Sequence, residues 1–329
     1  MTAAAPGTAA ARDDLAAALA GALGTAPGAV TGLRRLSGGA SRQTWAFDAG
    51  DRPLILQQER PGVLRHAGMA TEAALLRAAA AEGVPVPAVV ASDGSGGGGP
   101  SQSALGPSWM VVERVPGETI ARKILRDDEF AAARPRLARQ SGEALAGIHR
   151  IDPAVAPALA GGDQLAQLRE TLDGVGEPHP AFELGFRWLE AHRPAAGPTR
   201  VVHGDFRHGN LVVGPDGLAA VLDWELAHLG DPLEDLGWLC VRAWRFGAGP
   251  RVGGFGTVDE LVAGYEAAGG PHVDREALAW WEVLGTLKWG IICMVQASTH
   301  LTGVVRSVEL AAIGRRVCEV EYDLLLVLP

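Results

Sequence analysis

Asp205 and Asn210 stand five positions apart in the segment His203-Gly-Asp-Phe-Arg-His-Gly-Asn210, and Asp223 follows the turn-containing stretch Leu211 to Leu222. An asparagine side-chain oxygen and a carboxylate are hard ligands suited to Mg²⁺. Phosphoryl transfer needs such ligands, a residue that orients or deprotonates the accepting hydroxyl, and donors that hold the triphosphate. In that chemistry the proton-accepting aspartate precedes a metal-binding asparagine by five positions on one loop, and a second metal-binding aspartate ends the next hairpin. Asp205, Asn210 and Asp223 have that order and spacing. An isolated Asp-x-x-x-x-Asn occurs in ordinary loops; the ordered set with its hairpin is the specific signal.

His203 to Asn210 resembles the catalytic loop of the aminoglycoside phosphotransferase family, with His-Gly-Asp in place of the His-Arg-Asp of protein kinases. The run Asp223-Trp-Glu-Leu-Ala-His-Leu-Gly-Asp-Pro-Leu-Glu-Asp-Leu-Gly-Trp238 resembles the family's next signature and is most similar to its acyl-CoA dehydrogenase-associated branch. The resemblance runs from about Leu33 nearly to the C-terminus. It implies an α+β, protein-kinase-like two-lobe fold with a small β-rich N-terminal lobe and a larger, mainly helical C-terminal lobe. It also implies ATP, with GTP left open, and Mg²⁺ as cofactors. By the same resemblance Asp205 is the catalytic base, and Asn210 and Asp223 bind magnesium. Asp235 resembles the aspartate that braces the catalytic loop through backbone hydrogen bonds, and His203 is read as structural support of that loop. Trp224 stands where protein kinases carry the Phe of Asp-Phe-Gly, so no switch of that type is expected.

In the N-terminal third, Ser37, Gly38, Gly39, Ala40 and Ser41 resemble the nucleotide-covering loop, where glycines let backbone N–H groups approach phosphates. Glu72 falls where the helix glutamate of the lysine–glutamate pair belongs, and Met110 to Val115, with Glu113 and Val115 at its end, is expected to supply the backbone that bonds the base. The lysine itself is missing. Its position aligns with Gln57 in Leu54-Ile-Leu-Gln57, and the only lysines of the chain are Lys123 and Lys288. Loss of a phosphate-anchoring charge costs roughly 2–4 kcal/mol of transition-state stabilisation by analogy with other electrostatic donors. Arg42 or Arg60 is expected to compensate; the alternative is a nucleotide-binding protein without turnover.

These residues must be carried by definite elements. Asp13 to Leu23 has helical spacing. Leu33 to Phe47 reads as two antiparallel strands about a glycine turn, with Leu54 to Leu56 as a third. Thr71 to Glu82 is helical and stops at Gly83. Val86 to Ala91 and Trp109 to Val115 are strand-like, and the glycine-rich Ser92 to Pro107 between them reads as a surface loop. Helical patterns cover Phe130 to Arg150, Gln164 to Leu172 and Pro180 to His192, then resume from Pro232 after a β insert at Arg200 to Trp224, whose hairpin turn is Gly214-Pro-Asp-Gly217. The expected division is an N-terminal lobe at 1–112, a hinge at 113–118 and a catalytic and substrate lobe at 119–329.

The chain has 329 residues, 47% hydrophobic and 20% charged, as expected of a globular protein. A net charge of −9 argues against nucleic acid or an anionic membrane as partner. Cys240, Cys293 and Cys318 are too sparse for a disulfide framework, which suits a cytoplasmic location. Met1 to Ala11 lacks a basic start, and the apolar stretch Trp280 to Ala297 is interrupted by Glu282 and Lys288, so a buried helix is expected there. His203, His208 and His228 match no familiar zinc spacing.

The partner expected is a small-molecule hydroxyl acceptor; the sequence leaves the oligomeric state open. Arg242 and Arg245, just beyond the central motifs, suit phosphate or carboxylate recognition. They favour an anionic or acyl-type metabolite such as a hydroxyacyl-CoA, with phosphorylation of an aminoglycoside or other antibiotic as the alternative. Trp280, Trp281 and Trp289 are either an apolar acceptor wall or core. No Ala-Pro-Glu activation segment follows Asp223, which argues against a protein substrate.

Overall fold

The computed structural model describes residues 9–26, 28–36, 42–59, 68–93 and 104–328. The loop Ser37 to Ser41, Arg60 and the glycines Gly96 to Gly99 lie outside the described residues. The chain divides into two compact units, one formed by Met1–Pro116 with Ala154–Leu159 and the other by Gly117–Pro153 with Ala160–Pro329.

In the first unit α1 (Ala9–Leu23) precedes β1 (Val30–Leu36), β2 (Arg42–Ala49) and β3 (Arg52–Glu59), followed by α2 (Met69–Ala81), β4 (Val89–Ser92) and β5 (Trp109–Glu113). The sheet order is β1-β2-β3-β5-β4, with every pairing antiparallel. Alternation along β2 and β3 buries Trp45, Phe47, Leu54 and Leu56 beneath α1 side chains such as Leu15 and Leu19. β4 starts three residues later than the expected Val86, because Pro85 and Pro87 lack the N–H groups a ladder requires. α2 ends as expected, with Gly83 at φ +80° after the cap residue Glu82.

The second unit is mainly helical: α3 (Ala121–Arg126), α4 (Arg134–Ile148), α5 (Gln164–Val175), α6 (Pro180–Ala191), α7 (Leu233–Cys240), α8 (Val258–Ala267), α9 (Arg275–Leu301), α10 (Val308–Gly314) and α11 (Val317–Val327). α4 is shorter than the expected Phe130 to Arg150. Pro135 sits in its first turn, and Asp128–Phe130 forms a separate 3₁₀ turn. The β insert comprises β6 (Arg200–Val202), the hairpin β7 (Leu211–Gly214) and β8 (Gly217–Val221), and β9 (His228–Gly230). β9 pairs antiparallel with β6 and was not foreseen from the sequence.

α9 is long and apolar enough to cross a membrane by length and composition, but 67% of its most apolar window is buried inside the fold. Leu284, Leu287 and Ile291 pack there with Phe182 and Phe186 of α6 and Leu324 of α11. Trp280 belongs to that core, its indole N–H donating to Leu189 O at 2.9 Å. Cys240 and Cys293 are buried free thiols, and Cys318 is an exposed one.

Candidate active site

The segment 203–210 is held from behind by α7. The Asp235 carboxylate accepts the backbone N–H of His203 at 2.7 Å on Oδ2 and that of Gly204 at 2.9 Å on Oδ1. His149, at the end of α4, meets the same Oδ2 through Nε2 at 3.1 Å, and its Nδ1 lies 2.9 Å from the Tyr265 hydroxyl. Asp235, His149 and His203 are almost fully buried, so these bonds are the alternative to large desolvation costs. Gly204 adopts φ +77°, and a Cβ there would lie 2.3 Å from Leu226 O, which explains the glycine before Asp205.

Both ring nitrogens of His203 are bonded to backbone groups. Its Nε2 bonds Leu222 O at 3.0 Å, and its Nδ1 accepts the Asp205 N–H at 3.2 Å, which fixes a neutral tautomer. Burial pushes its pKa down despite Asp235, Asp205 and Asp223 nearby. The Trp224 ring packs beside it at 4.9 Å and is buried, with its N–H on Val221 O. His208 turns elsewhere, to Gly253 O at 2.8 Å, and His228 joins Glu234. The three histidines thus have different partners, and the described residues contain no group of three or more His, Cys, Asp or Glu side chains placed to share a metal ion.

Asp205 projects from this loop with its side chain 13% exposed. Three donors converge on its carboxylate: Trp238 Nε1 at 2.9 Å on Oδ1, Asn210 Nδ2 at 2.7 Å on Oδ2, and Arg207 Nε at 3.0 and 3.1 Å on the two oxygens. Asn210 Nδ2 also reaches Asp205 O at 3.0 Å, leaving Asn210 Oδ1 without a hydrogen bond among the described residues. The β7–β8 hairpin ends beside this loop, since Leu222 N bonds Asn210 O at 2.8 Å. Asp223 follows immediately at φ +65°, a left-handed conformation disfavoured for any residue with a Cβ. An available amide oxygen and a carboxylate on a strained backbone fit the donor set of a magnesium site that completes its shell with phosphate and water.

Sequence reasoning missed Arg207 and Trp238, although each carried a signal. Arg207 lies two residues after Asp205, and Trp238 lies one helical turn beyond Asp235, on the same face of α7. Behind them runs a buried polar chain. Lys288 Nζ meets Glu234 Oε1 at 3.1 Å and lies 5.0 Å above the Trp238 ring, while His228 and Gln164 bond the other Glu234 oxygen. Burial disfavours the Glu234 charge, but Lys288 and His228 outweigh it and draw its pKa to about 2.

In the first unit Arg42 meets both Gln57 and Glu72. Arg42, at the start of β2, sits diagonally across the ladder from Gln57 of β3, whose direct partner is Thr44. Arg42 Nη1 donates to Gln57 Oε1 at 3.1 Å, and Nη2 pairs with Glu72 Oε1 of α2 at 2.9 Å, with side chains only 7% and 1% exposed. Gln58 faces the other way and holds the carbonyls of Ala104 and Leu105. Glu113 ends β5 in an exposed pair with Arg52, and Val115 follows it half-buried.

The two arginines expected to meet the acceptor are engaged elsewhere. Arg245 bonds Cys240 O and Glu282, which Arg251 also holds, and Arg242 pairs with Asp323 at 3.1 Å. A buried Glu282 needs compensating cations, and Arg245 supplies one, whereas the Arg242 side chain is exposed.

Comparison with known proteins bears on the family and the fold. The description "Phosphotransferase enzyme family" matches residues 32–281. Mouse (Mus musculus) acyl-CoA dehydrogenase family member 10 is 29% identical over 271 residues, which is 77% of this chain and 24% of that protein. The chain thus spans about a quarter of the length of that curated relative. Among solved structures, a Ralstonia eutropha protein assigned to the aminoglycoside phosphotransferases superposes with a TM-score of 0.69 at 20% identity, covering 90% of this chain and 91% of that one. An aminoglycoside phosphotransferase APH(4)-Ia variant, solved with AMP-PNP and hygromycin B, gives 0.58 at 15% identity, covering 94% and 98%. The fold is protein-kinase-like, and the chain belongs to the phosphotransferase enzyme family.

Proposed function

We propose that this phosphotransferase moves the γ-phosphoryl group of ATP to a hydroxyl of a small anionic or acyl-type metabolite, with Asp205 as the base. The observation that carries this reading is the fixed Asp205 carboxylate, aimed by Asn210, Trp238 and Arg207 on a loop that Asp235 holds from behind. A general base must be held within hydrogen-bond reach of the proton it takes, and this loop is built to do that. The acceptor hydroxyl gives its proton to a carboxylate oxygen of Asp205 as its oxygen bonds to phosphorus and the ADP leaving oxygen departs. Asn210 Oδ1 and the Asp223 carboxylate are the groups that would hold Mg²⁺, whose charge offsets that of the phosphate oxygens.

Arg42 takes the part of the absent lysine in this reading. Its guanidinium is fixed by Glu72 and Gln57, as the lysine–glutamate pair fixes the phosphate-anchoring ammonium in protein kinases. This favours turnover over silent nucleotide binding. By their resemblance to the nucleotide-covering loop, Ser37 to Ser41 are assigned to the triphosphate, and the backbone near Glu113 and Val115 to the base of the nucleotide. The likeness to an acyl-CoA dehydrogenase family member supports a hydroxyacyl-CoA as the finer assignment, and the sparse free cysteines suit the cytoplasm. Transfer of radiolabel from γ-labelled ATP, with Mg²⁺, to 3- and 4-hydroxyacyl-CoA acceptors tests it. Asp205→Asn is expected to lower kcat by about 10²–10⁴-fold while nucleotide binding persists. Near-normal turnover in that variant would remove Asp205 as the base.

A further inference from the structure

Of the 29 lysines and arginines in the chain only two are lysines, and their settings differ. Lys123 pairs with Glu118 at the surface, its side chain 47% exposed. Lys288 turns inward from α9 toward the loop 203–210, its side chain 16% exposed. Its ammonium meets three groups: Glu234 Oε1 at 3.1 Å, Gly204 O at 3.4 Å and the face of the Trp238 ring at 5.0 Å. The first is the countercharge that a cation shielded from solvent needs. The other two both lead to Asp205. Gly204 O belongs to the peptide that joins Gly204 to Asp205, and the N–H of that peptide is held by His203 Nδ1. The Trp238 N–H donates to Asp205 Oδ1 at 2.9 Å.

α7 and α9 approach so closely that the ammonium has little room to move. A Cβ on Gly237 would lie 2.8 Å from the Trp281 carbonyl carbon. One on Gly285, three residues before Lys288, would lie 2.9 Å from Val241 Cγ2 and 3.2 Å from Trp238 Cε3. An ammonium is compact and points its donors in separate directions, so it can meet a carboxylate, a carbonyl and a ring face together. A planar guanidinium on a longer stem would have to displace one of them. A cation over the indole face also draws electron density from the ring and makes its N–H a stronger donor. We propose that Lys288 is a positioning residue for Asp205, fixing the peptide that enters it through Gly204 and its carboxylate through Trp238. This rests on Asp205 being the base.

The test reads the full chain in two ways: its indole N–H resonances by NMR, and ATP turnover with Mg²⁺, with and without a 4-hydroxyacyl-CoA. The Trp238 signal is identified as the one lost in Trp238→Phe. Lys288→Arg keeps the charge, whereas Lys288→Met combined with Glu234→Gln removes both charges and leaves no buried carboxylate unpaired. Both variants are expected to move the Trp238 resonance and to lower kcat. The double variant should lose about 10–100-fold and Lys288→Arg less, with KM for ATP within about twofold of the wild type. On an Asp205→Asn background neither should cause a comparable further loss, because a residue that acts through Asp205 has nothing left to position. A lowered melting temperature with unchanged kcat per folded protein would make Lys288 structural only and overturn the proposal. So would an unmoved Trp238 resonance in the double variant, or an equal fold-loss with and without the Asp205 carboxylate. Absence of ATP turnover in the wild type, or normal turnover in Asp205→Asn, overturns the reading beneath it and the positioning role together.

Discussion

On the proposed function, Arg42 supplies from β2 the anchoring cation that protein kinases carry on the third strand, where this chain has Gln57. The pair it makes with Glu72 is buried, and removing one partner of such a pair costs about 3–5 kcal/mol. Arg42→Gln is therefore expected to lower both thermal stability and kcat/KM. Adding Gln57→Lys to that variant should restore part of the activity, because a lysine on β3 is again placed beside Glu72. Melting temperature and steady-state rates measured on both variants check this, and a folded Arg42→Gln enzyme with full turnover would place the anchor elsewhere. The pairing of Arg42 with Gln57 was only half legible in the sequence. The absence of lysine was plain, but Arg42 could be singled out only from the β2–β3 register, which sets it diagonally opposite Gln57.

At the scale of elements, the motif-bearing pieces were the most legible, because the loop 203–210 and the hairpin before Asp223 are local in sequence. What depended on distant partners was not. β9 has three residues and exists by pairing with β6, and the role of Arg245 is set by Glu282, thirty-seven positions away. The crossing of α4 and α8 is another such feature. A Cβ on Gly142 would lie 2.1 Å from Leu261 O, and one on Gly264 would lie 2.2 Å from Arg139 O, so the two backbones touch. Neither helix can yield without disturbing His149 and Tyr265, which sit on the same pair and reach Asp235. Gly142→Ala should destabilise the protein by about 1–3 kcal/mol through overpacking, despite the better helix propensity of alanine. A urea titration reads this directly; an unchanged or raised midpoint would show that the helices can separate.

For the whole molecule, acid should be more damaging than the net charge alone suggests. Burial pushes the His208 pKa down to about 4, well below its ordinary value near 6.5. Between those values the unfolded chain binds the proton and the folded one does not, so stability falls as pH drops from about 6.5 to 4, by up to about 3 kcal/mol. His203, also lowered by burial, acts in the same direction. Glu234, drawn to about 2, adds a further loss as pH falls below about 4.5. Urea midpoints measured across this range should decline steadily, and His208→Gln should flatten the upper part of the decline. An equal slope in that variant would mean that His208 is hydrated in the folded state.

The grip of Asp235 on the amides of His203 and Gly204 also bears on how the protein wears out. Both amides end on a carboxylate almost wholly shielded from solvent and tied to α4 and α8 through His149 and Tyr265. Deuterium reaches such amides only when the surrounding structure opens cooperatively, so they should be among the slowest to exchange. Heating should then offer no intermediate setting in which the fold persists but Asp205 has drifted: surviving activity should track the protected fraction of these two amides.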